Sequence, residues 1–265
     1  GRVFQPDDIA SYFHTGGTTG TPKLAMHTHF NEVFDAWAAG EVVDPEPGLR
    51  MFLGLPIFHN FGAIAVGINC FLHGIGVIIG TPQGYRGEGV IENFWKLNAR
   101  YKTSFIATVP TAIAATMQVP VDADISSVKK AFSGSAPLPL ELFRRFEEAT
   151  GVTIIEGYGM TEATCLVSGN PVDGEKKVGS IGLTYPYTDV RIVKGTPDGP
   201  VECGTDEIGE ICVSNPGVYA GHTYTETEKN QDLFYQGTHL RTGDLGRIDA
   251  DGYLWITGRQ KDLII

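Results

Sequence analysis

The chain has 265 residues, 42% of them hydrophobic, and carries a net charge of −11 from 20 basic and 31 acidic side chains. That length predicts one to two domains with a substantial core. An acidic chain repels phosphate backbones, which excludes a general nucleic-acid partner; a phosphate site must be a local exception built from backbone dipoles and a few cations.

Residues 9–14 are rich in β-formers and predict a strand leading into Thr15-Gly16-Gly17-Thr18-Thr19-Gly20-Thr21-Pro22-Lys23. Glycines let a backbone turn tightly and bring its N–H groups close to a ligand, so this stretch has the composition of a phosphate cradle. It is not a Walker A loop, because Lys23 follows Pro22 and the G-x-x-x-x-G-K-[ST] spacing is not met. A plain Gly/Thr surface loop is the alternative. Residues 24–27 predict the returning strand and 30–39 a helix. His27 and His29 form an H-x-H pair without a third ligand, which reads as turn or core histidines rather than a metal site.

From Arg50 strands and helices alternate. Residues 51–55 predict a strand, 59–72 a helix, and the run at Val77 another strand. The apolar stretch 61–80 is just long enough to span a bilayer. Gly74 and Gly76 fall where a helix should stop, so a core helix followed by a core strand is the reading, with no membrane span. Residues 90–101 are amphipathic, 104–109 are β-rich, and Pro110 suits the first turn of a helix reaching Met117. Residues 130–133 predict a brief strand. In the next helix Leu142, Phe143, Phe146 and Ala149 share one face, and Gly151 closes it. Residues 152–155 predict a strand. Such alternation implies a mostly parallel sheet with helices on both faces.

Beyond about Asn170 short β-type runs (189–193, 208–213, 246–249, 253–257) are punctuated by Gly, Pro and Asp, and predict a small β-rich unit, barrel or sandwich. Asp251-Gly252 reads as a hairpin turn. Thr225-Glu226-Thr227-Glu228 is suited to cap a short helix. The sequence stops at Asp262-Leu263-Ile264-Ile265, in mid-strand by pattern, and no signal peptide opens it. Cys70, Cys165, Cys203 and Cys212 show neither C-x-x-C pairing nor zinc spacing, which fits reduced thiols and a cytoplasmic location.

In an open parallel sheet, ligands collect at the carboxyl ends of the strands. Three segments fall there. One is Gly134-Ser135-Ala136-Pro137. Another is Glu156-Gly157-Tyr158-Gly159-Met160-Thr161-Glu162, whose glycines allow close approach to a planar ligand and whose Glu162 suits Mg²⁺ beside phosphates. The third, Leu55-Pro56-Ile57-Phe58-His59-Asn60-Phe61-Gly62, sets an imidazole and two aromatics at a helix start. Arg241-Thr242-Gly243-Asp244 and Gly258-Arg259 place an acceptor for ribose hydroxyls and a cation at strand ends. The plain alternatives are turns, a helix-start charge for Glu162, a core histidine for His59 and a surface ion pair for Asp244 and Arg259.

In their order along the chain, these motifs resemble the AMP-forming acyl-activating superfamily of acyl-CoA synthetases, nonribosomal peptide adenylation domains and firefly luciferase. The phosphate loop resembles residues 15–23, the aromatic gate 56–62 and the adenine segments 134–137 and 156–162. Gly209-Glu210-Ile211, Thr242-Gly243-Asp244 and Gly258-Arg259-Gln260-Lys261-Asp262 match the later motifs. The resemblance implies an α/β fold, a mostly parallel sheet with helices on both faces followed by a small barrel-like β-rich subdomain. It also implies divisions at 1–45, 46–172, 173–258 and a hinge segment 259–265.

The resemblance implies these roles. Thr15, Gly16, Gly17, Thr18, Thr19, Gly20, Thr21 and Lys23 wrap the β- and γ-phosphates of ATP. Ser135, Ala136 and Pro137, with Glu156, Gly157, Tyr158, Gly159 and Met160, line the adenine site, and Ile256 touches the adenine edge. Thr161 bonds the α-phosphate, Glu162 holds Mg²⁺, Asp244 and Arg259 hold the ribose, His59 stands beside the acyl pocket, and Lys261 is the hinge. Coenzyme A then captures the acyl-adenylate. The gate reads Phe58-His59-Asn60 with no acid, and an unpaired ammonium in an apolar pocket is costly, so a fatty or other hydrophobic acid is expected over an amino acid. The alternatives are transfer to a carrier-protein thiol and a non-catalytic nucleotide-binding piece. Members of the superfamily carry a small C-terminal domain whose lysine contacts the reacting carboxylate and phosphate, which this sequence does not match, so it reads as the central piece of a larger enzyme, impaired alone.

Overall fold

The structure is a computed structural model describing residues 3–15, 23–43 and 45–262. The expectations on Gly16, Gly17, Thr18, Thr19, Gly20 and Thr21 therefore lie outside the described residues. The chain forms two compact units, each discontinuous in sequence. The first holds Gly1–Phe34, Tyr158–Asn170 and Ser180–Ile265; the second holds Asp35–Gly157 and Pro171–Gly179.

Strands β1 (Ile9–His14) and β2 (Leu24–Thr28) pair antiparallel, with Tyr12 opposite Met26 and His14 opposite Leu24. Helix α1 (His29–Glu41) starts on a reciprocal cap. The Thr28 N–H donates to Asn31 Oδ1 and the Asn31 N–H to the Thr28 hydroxyl, so two otherwise orphaned donors are satisfied.

The second unit is built on a parallel sheet. Its strands are β3 (Arg50–Leu53), β4 (Gly76–Ile79), β5 (Phe105–Thr108), β6 (Lys130–Ser133) and β7 (Thr153–Gly159), in the order β4-β3-β5-β6-β7. Because side chains alternate along a strand, adjacent rows pack on opposite faces. Phe52, Ile106, Ala131 and Ile154 are in register and meet Phe94 and Trp95 of α3 (Phe94–Tyr101), Ile113 of α4 (Pro110–Thr116) and Phe143 and Phe146 of α5 (Leu140–Thr150). Met51, Leu53, Phe105 and Ala107 pack on the other side with Val66 and Cys70. Both faces of the sheet are thus dry.

Pro110 does occupy the first turn of its helix, and Gly151, at φ 68°, closes α5. The helix expected over 59–72 starts only at Phe61. It runs as a wide-turned helix, Phe61–Ile68, and then as α2 (Asn69–Leu72). Residues 56–59 form a turn instead, with the His59 N–H bonded to the Pro56 carbonyl at 3.2 Å. A Cβ on Gly62 would lie 2.4 Å from that same carbonyl oxygen, so only glycine fits there. The amphipathic stretch 90–101 is helical only from Phe94, since Gly89 at φ 76° belongs to a turn. No helix among the described residues is long and apolar enough to cross a membrane.

In the first unit β8 (Leu166–Gly169) pairs antiparallel with β9 (Leu183–Thr184). The remaining strands are β10 (Asp189–Thr196), β11 (Gly199–Glu202), β12 (Gly209–Ser214), β13 (Phe234–Tyr235), β14 (His239–Ile248) and β15 (Leu254–Arg259). They form an antiparallel sheet ordered β11-β10-β12-β14-β13, with β15 also paired to β14. Asp251-Gly252 makes the expected turn, Gly252 lying at φ 86° and Asp249 Oδ1 accepting from the Asp251 and Tyr253 amides. The short helix at Thr227–Asn230 is one 3-10 turn, and no side chain caps it. Gln260–Asp262 is likewise a 3-10 turn rather than continued strand.

Candidate nucleotide site

Thr15 and Lys23 bracket the glycine-threonine stretch and are joined by a 2.9 Å bond from the Thr15 N–H to the Lys23 carbonyl. The strand pair β1–β2 fixes this base. Alongside β2 runs residues 223–225: Ala25 bridges Tyr224, the Met26 N–H donates to the Thr223 carbonyl and the Thr225 N–H to the Leu24 carbonyl. Tyr224 is consequently buried beside the base of the loop. The Lys23 ammonium sits 4.5 Å from the centre of its ring, and its phenol donates a 2.6 Å hydrogen bond to Glu162 Oε1. Burial first, and then the Glu162 carboxylate, push the Tyr224 phenol far above its ordinary value, so it remains a donor.

Sequence reasoning expected Glu156 to Glu162 to lie just past a strand. The strand instead continues to Gly159, and only Thr161–Ala163 form a 3-10 turn. A Cβ on Gly159 would fall 1.5 Å from the Cys165 carbonyl oxygen, so the close approach that demands glycine is made by the chain itself. The turn is tied down twice. Thr164 has φ 65° and ψ −61°, and the Cys165 N–H reaches back 2.8 Å to the Ala163 carbonyl, which makes a tight γ-turn rarely adopted by β-branched residues. On the other side His27 Nε2 donates to the Thr161 carbonyl at 2.7 Å. A carbonyl can only accept, so this bond fixes the Nε2–H tautomer. His27 is therefore a core histidine, one of the two readings left open by the lack of a third ligand in the sequence.

Asp244 is not at a strand end. It lies inside β14, where a bulge sets residues 242–244 against the single residue Ile211. Gly243 takes φ 73°, the Thr242 hydroxyl donates to the Ile211 carbonyl and accepts from the Asp244 N–H, and Glu210 accepts from the Gly243 N–H and from Arg241. Bulges re-aim side chains. Here the re-aimed carboxylate is only 5% exposed, and it receives the Tyr158 phenol on Oδ2 at 2.6 Å and Arg259 Nε on Oδ1 at 2.7 Å. Arg259, at the end of β15, is 67% exposed. Ile256 and Met160 pack against the core of this unit.

The second unit holds His59, Ser135, Ala136, Pro137, Glu156 and Gly157, while Lys261 belongs to the first. Ser135, Ala136 and Pro137 are exposed, and Ser135 lies at φ 69°, a left-handed conformation costly for any residue with a Cβ. Glu156 Oε2 accepts from the Gly179 N–H at 3.2 Å, and burial raises its pKa. The His59 side chain reaches the surface, its Nδ1 accepts from the Phe61 N–H, and partial desolvation lowers its pKa. Lys261 stands on the exposed 3-10 turn after β15.

Sequence reasoning brought in Thr15, Lys23, Thr161, Glu162, Asp244 and Arg259, and the first unit contains all of them. It missed Tyr224, and it placed Tyr158 beside adenine without its bond to Asp244. Tyr224 had one available signal, an aromatic directly before the acidic cluster 225–228.

One unit with an antiparallel sheet, a cation, two carboxylates and a loop of phosphate-cradle composition, and another built on a doubly covered parallel sheet, define a class of nucleotide-binding α/β proteins. The chain belongs to the AMP-binding enzyme family, whose profile matches residues 2–223. It is 39% identical over 266 residues to marinolic acid–CoA ligase of Pseudoalteromonas sp. (strain SANK 73390), covering 97% of this chain and 40% of that protein. It is 35% identical over 275 residues to a long-chain-fatty-acid–CoA ligase of Bacillus subtilis (strain 168), covering 100% of this chain and 46% of the other. Among solved structures, ATP-bound MatB from Rhodopseudomonas palustris superposes with a TM-score of 0.88 at 31% identity, over 98% of this chain and 50% of that one. The chain thus spans less than half the length of these curated relatives.

Proposed function

We propose that this chain binds ATP and serves the activation of a carboxylic acid, as acyl-AMP and then acyl-CoA, with release of pyrophosphate. The observation that carries this reading is the buried Asp244 carboxylate, fixed by Tyr158 and Arg259 in the same unit as Lys23, Thr161 and Glu162. Each Asp244 oxygen has one acceptor site taken and another left over, which suits a pair of ribose hydroxyls. Arg259, mostly exposed, keeps donors for the same sugar or for phosphate.

The chemistry asks little covalent work of the protein. A substrate carboxylate oxygen attacks the α-phosphorus, the bond to the bridging oxygen breaks and pyrophosphate leaves; the thiol of coenzyme A then displaces AMP from the acyl carbon. Positioning and charge stabilisation dominate such a reaction. Lys23 and the glycine-threonine loop would hold the β- and γ-phosphates, and Thr161 the α-phosphate. Following the resemblance, Ser135, Ala136, Pro137, Glu156, Gly157, Gly159, Met160 and Ile256 are assigned to the adenine and His59 to the acyl side. Magnesium fits this donor set, since it is commonly held by one or two carboxylates plus substrate phosphates, and Glu162 keeps Oε2 available. Bound there, it would offset the phosphate charge. The acid is proposed to be fatty or otherwise hydrophobic. The gate without an acidic residue supports this, as do relatives named for marinolic acid and long-chain fatty acids.

Thermal melting with and without ATP–Mg²⁺ tests the reading. Ligand at about 100 times its Kd stabilises by ~2.7 kcal/mol, several degrees for a chain of this size. A melting temperature unmoved by millimolar ATP–Mg²⁺ overturns it. Pyrophosphate release over a panel of octanoate, palmitate, benzoate and alanine tests the acid, and alanine as the best substrate would reverse the assignment.

A further inference from the structure

Lys23 and Glu162 carry opposite charges close enough to touch one buried tyrosine, yet no ion pair joins them. Each engages Tyr224 instead: the ammonium lies over its ring face, and the carboxylate accepts its phenol. Had the two charges met directly, each would have neutralised the other, leaving neither free for a phosphate or a cation. We infer that Tyr224 is a positioning residue that keeps Lys23 and Glu162 apart and presents both to the triphosphate–metal end of the ligand. This rests on reading the unit as an ATP site.

The backbone around Tyr224 is fixed more tightly than packing alone requires. Its N–H donates to Asn230 Oδ1 at 2.8 Å and its carbonyl accepts from Asn230 Nδ2 at 3.0 Å. Thr223 and Thr225, on either side, are bonded to Met26 and Leu24 of β2, the strand that begins one residue after Lys23. Glu162 sits in the 3-10 turn whose first carbonyl is held by His27 of that same strand. The ring, the lysine and the glutamate are therefore all referenced to one strand. A phenol that donates to one carboxylate oxygen leaves the second available as an acceptor, and a cation over an aromatic face is oriented without being charge-compensated. Phenylalanine at 224 would lose the first of these functions and keep the second; leucine would lose both.

The test measures ATP affinity by calorimetry, with Mg²⁺ and with chelator, for the unaltered chain, Tyr224→Phe and Tyr224→Leu, alongside nucleotide-free melting. Tyr224→Phe is expected to bind metal-free ATP like the unaltered chain. Its affinity gain from Mg²⁺ should fall on the order of tenfold, the scale of a hydrogen bond to a charged group. Tyr224→Leu should weaken binding under both conditions. Asn230→Ala, which releases the Tyr224 backbone but keeps ring and phenol, should shift the Mg²⁺ gain in the same direction and serves if the Tyr224 variants do not fold. A Tyr224→Phe chain with an unchanged Mg²⁺ gain overturns the role, as does one whose two affinities fall together with its melting temperature. If the unaltered chain binds no ATP at all, the nucleotide reading falls and this role with it; binding by the unaltered chain with an indifferent Tyr224→Phe removes the role alone.

Discussion

His27 shows how one side chain can set a site's tolerance to acid. Burial draws its imidazole down to about 4, while its bond to the Thr161 carbonyl works in the opposite direction and only partly offsets that. Its Nδ1 has no partner among the described residues, so protonation would place both a charge and an unsatisfied donor in the interior. The unfolded chain takes up a proton near pH 6.5 and the folded chain only near 4, so this contribution is complete above 6.5 and is lost as pH falls through that window. At pH 5 the loss is on the order of 2 kcal/mol. Urea unfolding at pH 7.5 and pH 5 should show it for the unaltered chain, and His27→Gln should lose less between the same two pH values. The same histidine marks where the sequence was readable and where it was not. The lack of a third ligand near the H-x-H pair argued against a metal ligand, but nothing local revealed that its partner would be Thr161, far along the chain. Tyr224 was hidden for the same reason: its significance lies in two residues, Lys23 and Glu162, that only the fold brings to it.

At the scale of the element, motifs read as ligand contacts turn out also to be backbone machinery. The Thr242-Gly243-Asp244 motif builds a bulge in the middle of β14, and Gly209-Glu210-Ile211 supplies its counterpart on β12, with Glu210 bonded to the Gly243 N–H and to Arg241. Two motifs separated in sequence are thus one structural device that aims Asp244. Gly159 behaves likewise, because its missing side chain is required by Cys165. Gly159→Ala is expected to destabilise the chain by ~1–3 kcal/mol or more, as overpacking against rigid backbone does. Chemical denaturation would measure this directly, and a loss below about 0.5 kcal/mol, the level of an ordinary surface change, would contradict the packing argument. Elements with a strong local signal were legible: the amphipathic α5 with its terminal glycine, Pro110 opening α4, and the Asp-Gly turn before β15. Bulges and short pairing strands such as β8, β9, β11 and β13 were not, since they are specified by the partner strand and not by their own residues.

For the whole molecule, the alternation of strand and helix patterns from Arg50 to Ile155 was enough to anticipate a parallel sheet buried on both faces, because each strand there is a short apolar run. What composition cannot encode is that neither compact unit is one continuous stretch. Asp35–Gly157 is threaded between two parts of the first unit, and this has a consequence for synthesis. A ribosome delivers the strands of the parallel sheet in sequence, while β1 and β2 are already made but still lack Glu162, then Tyr224, and last of all Arg259. Domains generally fold as they emerge, N-terminal parts first. The cage around Asp244 therefore closes only after Arg259 of β15 has left the exit tunnel, long after the β1–β2 pair and the parallel sheet have been made.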